Sequence, residues 1–247
     1  MACFESGNDR GELYIIGVGV GDPDNLTLKA LNVLQRADLV LAMPFMHERL
    51  RAFIQRGIEI VDSGHGLFRP LALKSAHASV IRRQEELVRH LIRQAVVDKK
   101  QCVVVADLGD PTLFSPQAGY LAEFNDLNPM VLPGISSFSA ASARLGQSLL
   151  GDSGSTLLMT HASEVEHLRG PAPDVLVLFT MGLDISALDQ HLKRLYPPDT
   201  ALSLVFEAGF SQKEQVTHCA LDDFAATAQT LDIPWACLIF VGEIHAR

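Results

Sequence analysis

Val103 to Pro116 reads VVVADLGDPTLFSP, and the way this stretch changes character halfway along decides the fold. Val103-Val104-Val105-Ala106 is a short β-branched apolar run, the pattern of a strand buried on both faces. It breaks at Gly109-Asp110-Pro111. There Gly permits positive φ and close main-chain approach, Pro fixes φ, and the intervening Asp favours a turn. In an open parallel sheet, ligands sit beyond the carboxyl ends of the strands, which is where such a loop falls. On these residues alone it is either an ordinary strand-to-loop turn or the lip of a binding site.

The flanking sequence repeats this arrangement. Leu13 to Val18, LYIIGV, is a second buried-strand run, and it empties into Gly17-Val18-Gly19-Val20-Gly21-Asp22-Pro23. Alternate glycines after a strand suit a backbone that a ligand approaches closely. The dinucleotide fingerprint GxGxxG is not met, because its third glycine falls on Asp22 and Pro23 follows. Thr27 is placed to cap a helix over Leu28 to Arg36, and Ala37 to Ala42 reads as the next strand. Met43 to Arg56 is helical in pattern, Ile58 to Val61 is a short strand, and Asp62 to Pro70, DSGHGLFRP, is a loop. His65 stands between two glycines of that loop. A lone loop histidine is ordinarily just solvated; its chemical use is proton exchange near neutral pH.

Ser75 to Lys99 is expected to be a long amphipathic helix with Val80, Leu87, Leu91 and Ala95 on its apolar side and arginines and glutamates as a solvated face. Strands alternating with helices make a parallel sheet the economical architecture for this half. A helix over Gln117 to Asn125 precedes the strand Met130-Val131-Leu132 and the turn Pro133-Gly134. Ser136 or Ser137 then caps a Ser/Ala-rich helix running through Leu145. Beyond Gly146 come four more apolar strand runs: Ser155 to Thr160, Val175 to Phe179, Ala201 to Phe206 and Ala236 to Val241. Helices over Ile185 to Tyr196 and Leu221 to Leu231 lie among them, and a domain boundary is expected within residues 116–130.

Composition narrows the function. The chain has 247 residues, 48% hydrophobic and 20% charged, with a net charge of -9. That balance argues against binding a nucleic-acid backbone, which calls for Lys/Arg clusters. No apolar run of about 18 residues exists to cross a membrane. The polar first eleven residues are expected to be a disordered leader without signal-peptide character. Cys3, Cys102, Cys219 and Cys237 are far apart and form no CxxC pair, so a reduced, cytoplasmic setting without a structural metal is expected.

In order and spacing, GVGVGDPDNLTLKAL, LGDPTLF and VLPGISSFSAASARLG, together with the turns at Met181-Gly182 and Glu207-Ala208-Gly209, resemble the tetrapyrrole methylase superfamily. Its members are the class III S-adenosylmethionine-dependent methyltransferases. The resemblance runs from about Glu12 to Glu243. It implies two α/β domains, residues 12–118 and 119–245, with a parallel N-terminal sheet, a mixed C-terminal sheet and a cofactor cleft between them. It also implies a homodimer and S-adenosyl-L-methionine as cofactor. Carried over position by position, Val20 comes close to the cofactor, while Leu108, Gly109, Asp110 and Leu113 contact its amino-acid part and sugar mainly through the backbone. Ser136 and Ser137 lie by the sugar or adenine, Met181 packs on the adenosyl moiety, and Ala208 with Gly209 meets the adenine edge.

The chain departs from the family pattern in three places. Val20 replaces the proline of the usual GxGPGD loop, and the acid/base Asp and Lys proposed for uroporphyrinogen-type members correspond to Met43 and His65. His65 and Asp22 are therefore the candidate proton carriers, with Asp110 and Glu207 as alternatives. The acceptor implied is a small, precorrin-like tetrapyrrole, the precorrin-2 C20 type being one candidate subtype. Its carboxylates would call for arginines such as Arg49, Arg51, Arg69 and Arg144. Other branches of the fold methylate peptides or RNA, and loss of turnover would leave a cofactor-binding regulatory protein.

Overall fold

A computed structural model describes residues 10–70, 78–150, 156–181, 183–231 and 233–242. The expectations for residues 1–9, Ser75 to His77, Ser155, Gly182 and Glu243 lie outside the described residues. The chain divides into two compact units, Met1–Ser136 and Ser137–Arg247.

The first unit is built on five parallel strands: β1 (Glu12–Gly17), β2 (Leu39–Ala42), β3 (Ile60–Asp62), β4 (Cys102–Asp107) and β5 (Met130–Leu132). Their order across the sheet is β3-β2-β4-β1-β5. Cys102 to Asp107 is buried at every position, as the apolar run requires of a central strand with both faces covered. Alternate residues divide between two cores. Val104 and Ala106 join Tyr14, Ile16, Val33, Leu34 and Leu50 on one face, and Val103 and Val105 join Leu13, Ile15, Val88, Ile92, Tyr120 and Phe124 on the other. Each such aliphatic side chain, fully buried, stabilises the fold by about 1.5–3 kcal/mol before entropy is counted.

The crossover from β1 to β2 carries α1 (Leu28–Leu34), which starts as expected at Thr27, whose hydroxyl accepts from the Ala30 N–H at 3.2 Å. β1 leads toward β2 and β4 leads the other way, to β5, so the strand order reverses between the adjacent strands β1 and β4. Ligands of open parallel sheets bind at such a switch point.

Three segments differ from the sequence reading. The region expected to be helical from Met43 to Arg56 contains only a 3-10 turn, Pro44–Met46, and the five-residue α2 (His47–Arg51). The long helix α3 (Ala78–Arg93) continues into a π turn, Gln94–Asp98. It buries Glu85, Val88 and Ile92 and leaves Val80 and Leu87, assigned above to the apolar side, 64% and 55% exposed. The buried stripe is set by what the sheet face offers, and Glu85 is drawn into it because its carboxylate accepts from the Phe68 N–H at 2.7 Å. Finally, α4 (Gly119–Glu123) is a short helix, and β5 after it hydrogen-bonds to β1. That pairing keeps residues 119–136 in the first unit, so the division falls at Ser136, later than the 118/119 boundary read from the sequence.

The second unit opens on α5 (Ser137–Leu145) and holds a mixed sheet ordered β6-β7-β10-β8-β9. Its strands are β6 (Leu157–His161), β7 (Val175–Phe179), β8 (Ala201–Phe206), β9 (Gln215–Ala220) and β10 (Cys237–Gly242). Only β6 and β7 pair in parallel. The helices α6 (Ile185–Leu195) and α7 (Phe224–Thr230) cover one face through Leu188, Leu192, Phe224 and Ala228. β9 has no counterpart in the sequence reading. It is a half-exposed edge strand with Gln215, Thr217 and His218 among its residues, so no apolar run announces it.

Candidate functional site

Because every strand of the first sheet is parallel, the glycine loop after β1, Met43 after β2, the His65 loop after β3, the Gly109 loop after β4 and the Gly134 turn after β5 all lie along one edge. At the switch point the first and fourth loops are joined. The Gly109 N–H donates to the Gly19 carbonyl at 3.1 Å, and the Gly19 N–H donates to the Gly109 carbonyl at 3.4 Å. Both glycines have positive φ, +69° and +77°, a conformation that costs an L side chain about 1–2 kcal/mol. Any Cβ on Gly17 would lie 2.3 Å from the Gly109 oxygen. The Val20 N–H donates to the Ile135 carbonyl at 3.2 Å, tying in the loop after β5. Val20 Cγ1, the Ser136 Cα and the Ile135 oxygen surround the Gly109 Cα, at 3.4, 3.6 and 3.9 Å from where a Cβ would stand. Val20, Gly109 and Ser136, three residues named from the sequence, thus converge.

The hydrogen-bond directions determine what these loops offer a ligand. The N–H groups of Leu108, Gly109 and Leu113 are spent on Asp107 Oδ1, the Gly19 carbonyl and the Asp110 carbonyl. The carbonyls of Gly109 and Asp110 in turn accept from the Gly19 and Leu113 N–H groups, so these bonds lock the loop's main chain in place. Asp110 orders its own turn: Oδ1 accepts from the Thr112 amide and hydroxyl at 2.8 and 2.6 Å, and Oδ2 accepts from the Gly134 N–H at 3.3 Å.

Arg49 is one of the four arginines the sequence offers to substrate carboxylates, none of them assigned to that role. Its guanidinium donates to the carbonyls of Gly21, Val18 and Asp22 at 2.8, 3.0 and 3.3 Å. It therefore staples the first glycine loop from α2, and burial holds its pKa below the usual arginine value despite the opposing charge of Asp22. Asp22 is half-buried and contributes its carbonyl to this clasp. His65 is exposed, flanked by Gly64 and Gly66, both in left-handed conformation with φ of +64° and +69°.

Sequence reasoning passed over Asp107, the last residue of β4. It is 1% exposed, and burial pushes its carboxyl up to about 6 against the opposing hydrogen bonds from Ser115 and the Leu108 amide. A carboxylate closing an otherwise apolar strand was the available signal. Ser115 and Gln117, also buried, are its companions.

In the second unit, β7 and β8 both run antiparallel to β10, so their carboxyl ends flank the start of that strand. The 46%-exposed Met181 and the buried Ala208 stand at that end. The Thr180 hydroxyl donates to the Cys237 carbonyl at 2.9 Å, and the Glu207 N–H donates to the Ala236 carbonyl at 2.8 Å. Glu207 itself has φ +48°, a strained conformation at a strand end. The Gly209 N–H is taken by Glu214 Oε2 at 3.1 Å, and the other oxygen of Glu214 pairs with Arg144 at 3.2 Å. Ser137 begins α5. Among the described residues no three His, Cys, Asp or Glu side chains group as metal ligands, and no helix is long and apolar enough to cross a membrane.

A parallel sheet with glycine loops bonded across its switch point, followed by a mixed five-stranded sheet, defines a two-unit α/β protein of the class III methyltransferase type. Residues 12–225 match the tetrapyrrole (corrin/porphyrin) methylases, and the chain belongs to that family. It is 31% identical to siroheme synthase 2 of Cronobacter sakazakii, a match covering 97% of this chain and 51% of that protein. The chain thus spans about half the length of the siroheme synthases it matches. It is 25% identical to the uroporphyrinogen-III C-methyltransferase of Bacillus subtilis over 95% of this chain and 91% of that one. The crystal structure of a uroporphyrin-III-C-methyltransferase from Thermus thermophilus superposes with a TM-score of 0.68 at 26% identity, covering 95% of this chain and 93% of that one.

Proposed function

We propose that this chain is an S-adenosyl-L-methionine-dependent methyltransferase acting on a tetrapyrrole of the precorrin type, in siroheme- or cobalamin-type biosynthesis. The observation that carries this reading is the clasp of Gly19 and Gly109, bonded N–H to carbonyl in both directions, at the switch point of the parallel sheet. Family membership and the relatives named above support the choice of cofactor and acceptor.

The cofactor, when bound, supplies a methyl group activated on a positively charged sulfur. Leu108, Gly109 and Asp110 are the proposed backbone contacts to its amino-acid part and sugar, and Val20 offers an apolar wall. Leu113, Ser136, Ser137, Met181, Ala208 and Gly209 complete the proposed binding set. Arg49 and the Gly19–Gly109 bonds hold the loop rigid, so its dipoles need not reorganise during transfer. His65 is the proposed acceptor of any proton the methylated carbon must lose, taken on a ring nitrogen, with Asp22 as the second candidate. We place the protein in the cytoplasm as a homodimer.

Calorimetry with S-adenosylmethionine and with its demethylated product tests the cofactor: saturable binding of both is expected, and its absence removes the reading. Labelled cofactor supplied with uroporphyrinogen or precorrin substrates, read by mass spectrometry, tests the acceptor. Label on a peptide or RNA instead would move the assignment to another branch. Tight binding with no labelled acceptor would make it a regulatory binding protein.

A further inference from the structure

We propose that Ser115 and Gln117 are positioning residues that couple occupancy of the Leu108–Asp110 loop to the geometry of the loop carrying His65. The inference rests on the cofactor reading above and goes beyond it by assigning a buried connection between the two loops.

The connection is a continuous chain of hydrogen bonds. Asp107 accepts from the Leu108 N–H at 2.9 Å through Oδ1 and from the Ser115 hydroxyl through Oδ2. Ser115 Oγ accepts from the Gln117 N–H at 2.9 Å. Gln117 Nε2 then donates to Ser63 Oγ at 3.1 Å and to the Gly64 carbonyl at 3.0 Å, one residue before His65. Asp107, Ser115, Gln117 and Ser63 are all less than a tenth exposed, so water does not compete for these bonds.

Two further features accompany these bonds. The Gly64 carbonyl only accepts, so it fixes the Gln117 amide with its nitrogen toward the loop. The His65 loop also rests bodily on the segment after Ser115. The Tyr120 hydroxyl donates to the Ser63 carbonyl at 2.6 Å, and a Cβ on Gly119 would strike the Leu67 oxygen at 2.3 Å. The Phe68 ring meets those of Tyr120 and Phe124 at 4.9 and 5.4 Å. Phe68 and Phe114, each in one of the coupled loops, have φ of +61° and +51°, so both loops are held in strained backbone that surrounding bonds must maintain. A shift at Leu108 is passed to Gly64 without crossing solvent.

Hydrogen exchange of the full chain, with and without saturating S-adenosylhomocysteine, tests this. In the wild type, ligand is expected to slow exchange by about tenfold both at Leu108 to Leu113 and at Gly64 to Phe68, the effect of about 1.4 kcal/mol of added protection. In Ser115→Ala and in Gln117→Ala the first segment still responds and the second does not; Ser115→Thr, which keeps the hydroxyl, restores the second response. Retention of the Gly64 to Phe68 response in both truncated variants, or its absence in a wild type that binds the ligand, overturns the coupling. Absence of ligand binding by calorimetry removes the cofactor reading, and this inference with it.

Discussion

Gly109 and Gly134 meet main chain to main chain: a Cβ built on Gly134 would stand 2.0 Å from the Gly109 carbonyl oxygen. The loops after β4 and β5 therefore close on each other without room for a single methyl group. The consequence is a site whose shape is made of backbone and whose tolerance for side chains is low.

Gly134→Ala is expected to force these loops apart, at a cost of about 1–3 kcal/mol for the overpacking. Gly57→Ala, where φ is +92° and nothing lies within 4 Å of the new methyl, is the control and pays only for the backbone conformation. Thermal unfolding should rank them in that order, and S-adenosylmethionine affinity should fall only in the first.

Arg49→Lys replaces a planar fork serving three carbonyls with a single point donor. We expect cofactor affinity to weaken by about tenfold, in line with the 1.5–3 kcal/mol typical of hydrogen bonds to charged groups. Calorimetry measures it; an unchanged Kd would mean the loop holds its shape without the clasp.

Asp107 titrates with its folded pKa raised from 3.8 to about 6, because burial disfavours the ion. The folded state therefore holds this proton more tightly than the unfolded state does. Its contribution to stability is complete below about pH 4 and is lost as the pH rises through about 6, a span on the order of 3 kcal/mol. Denaturant unfolding of the wild type from pH 4 to 7 should show this decline, and Asp107→Asn, which cannot ionise, should remove it.

His65→Ala leaves a loop whose backbone is set by Gly64 and Gly66 and by the Phe68–Glu85 bond, so stability should change by less than about 0.5 kcal/mol. Turnover with a tetrapyrrole acceptor should fall by about 100-fold at neutral pH, the scale of a lost general base, while cofactor affinity holds. Unchanged turnover at every pH would exclude His65 as the proton carrier.

The strands that carry the two sheets were legible because they are almost wholly apolar: Val103 to Ala106, Val175 to Phe179 and, apart from Ser203, Ala201 to Phe206 are runs that fold into the sheet interior. The glycine loops after them were legible for the same local reason, since positive φ and close approach select for residues without a side chain. β9 was not, because a half-exposed edge strand has no apolar period to read. Nor was the buried face of α3, where Glu85 enters the core and Val80 does not.

The residues themselves determined where strands end and main chain is exposed, a local matter of β-branching, glycine and proline. Which ends meet was decided by the tertiary structure alone. Parallel pairing placed β1 beside β4, 90 residues apart along the chain (Glu12↔Cys102), and so joined Gly19 to Gly109. It also turned Arg49 inward upon three carbonyls and linked Asp107 through Ser115 and Gln117 to Ser63. Hydrogen bonds of this kind depend on register and distance between segments remote in sequence, and no periodicity or composition within one segment records them.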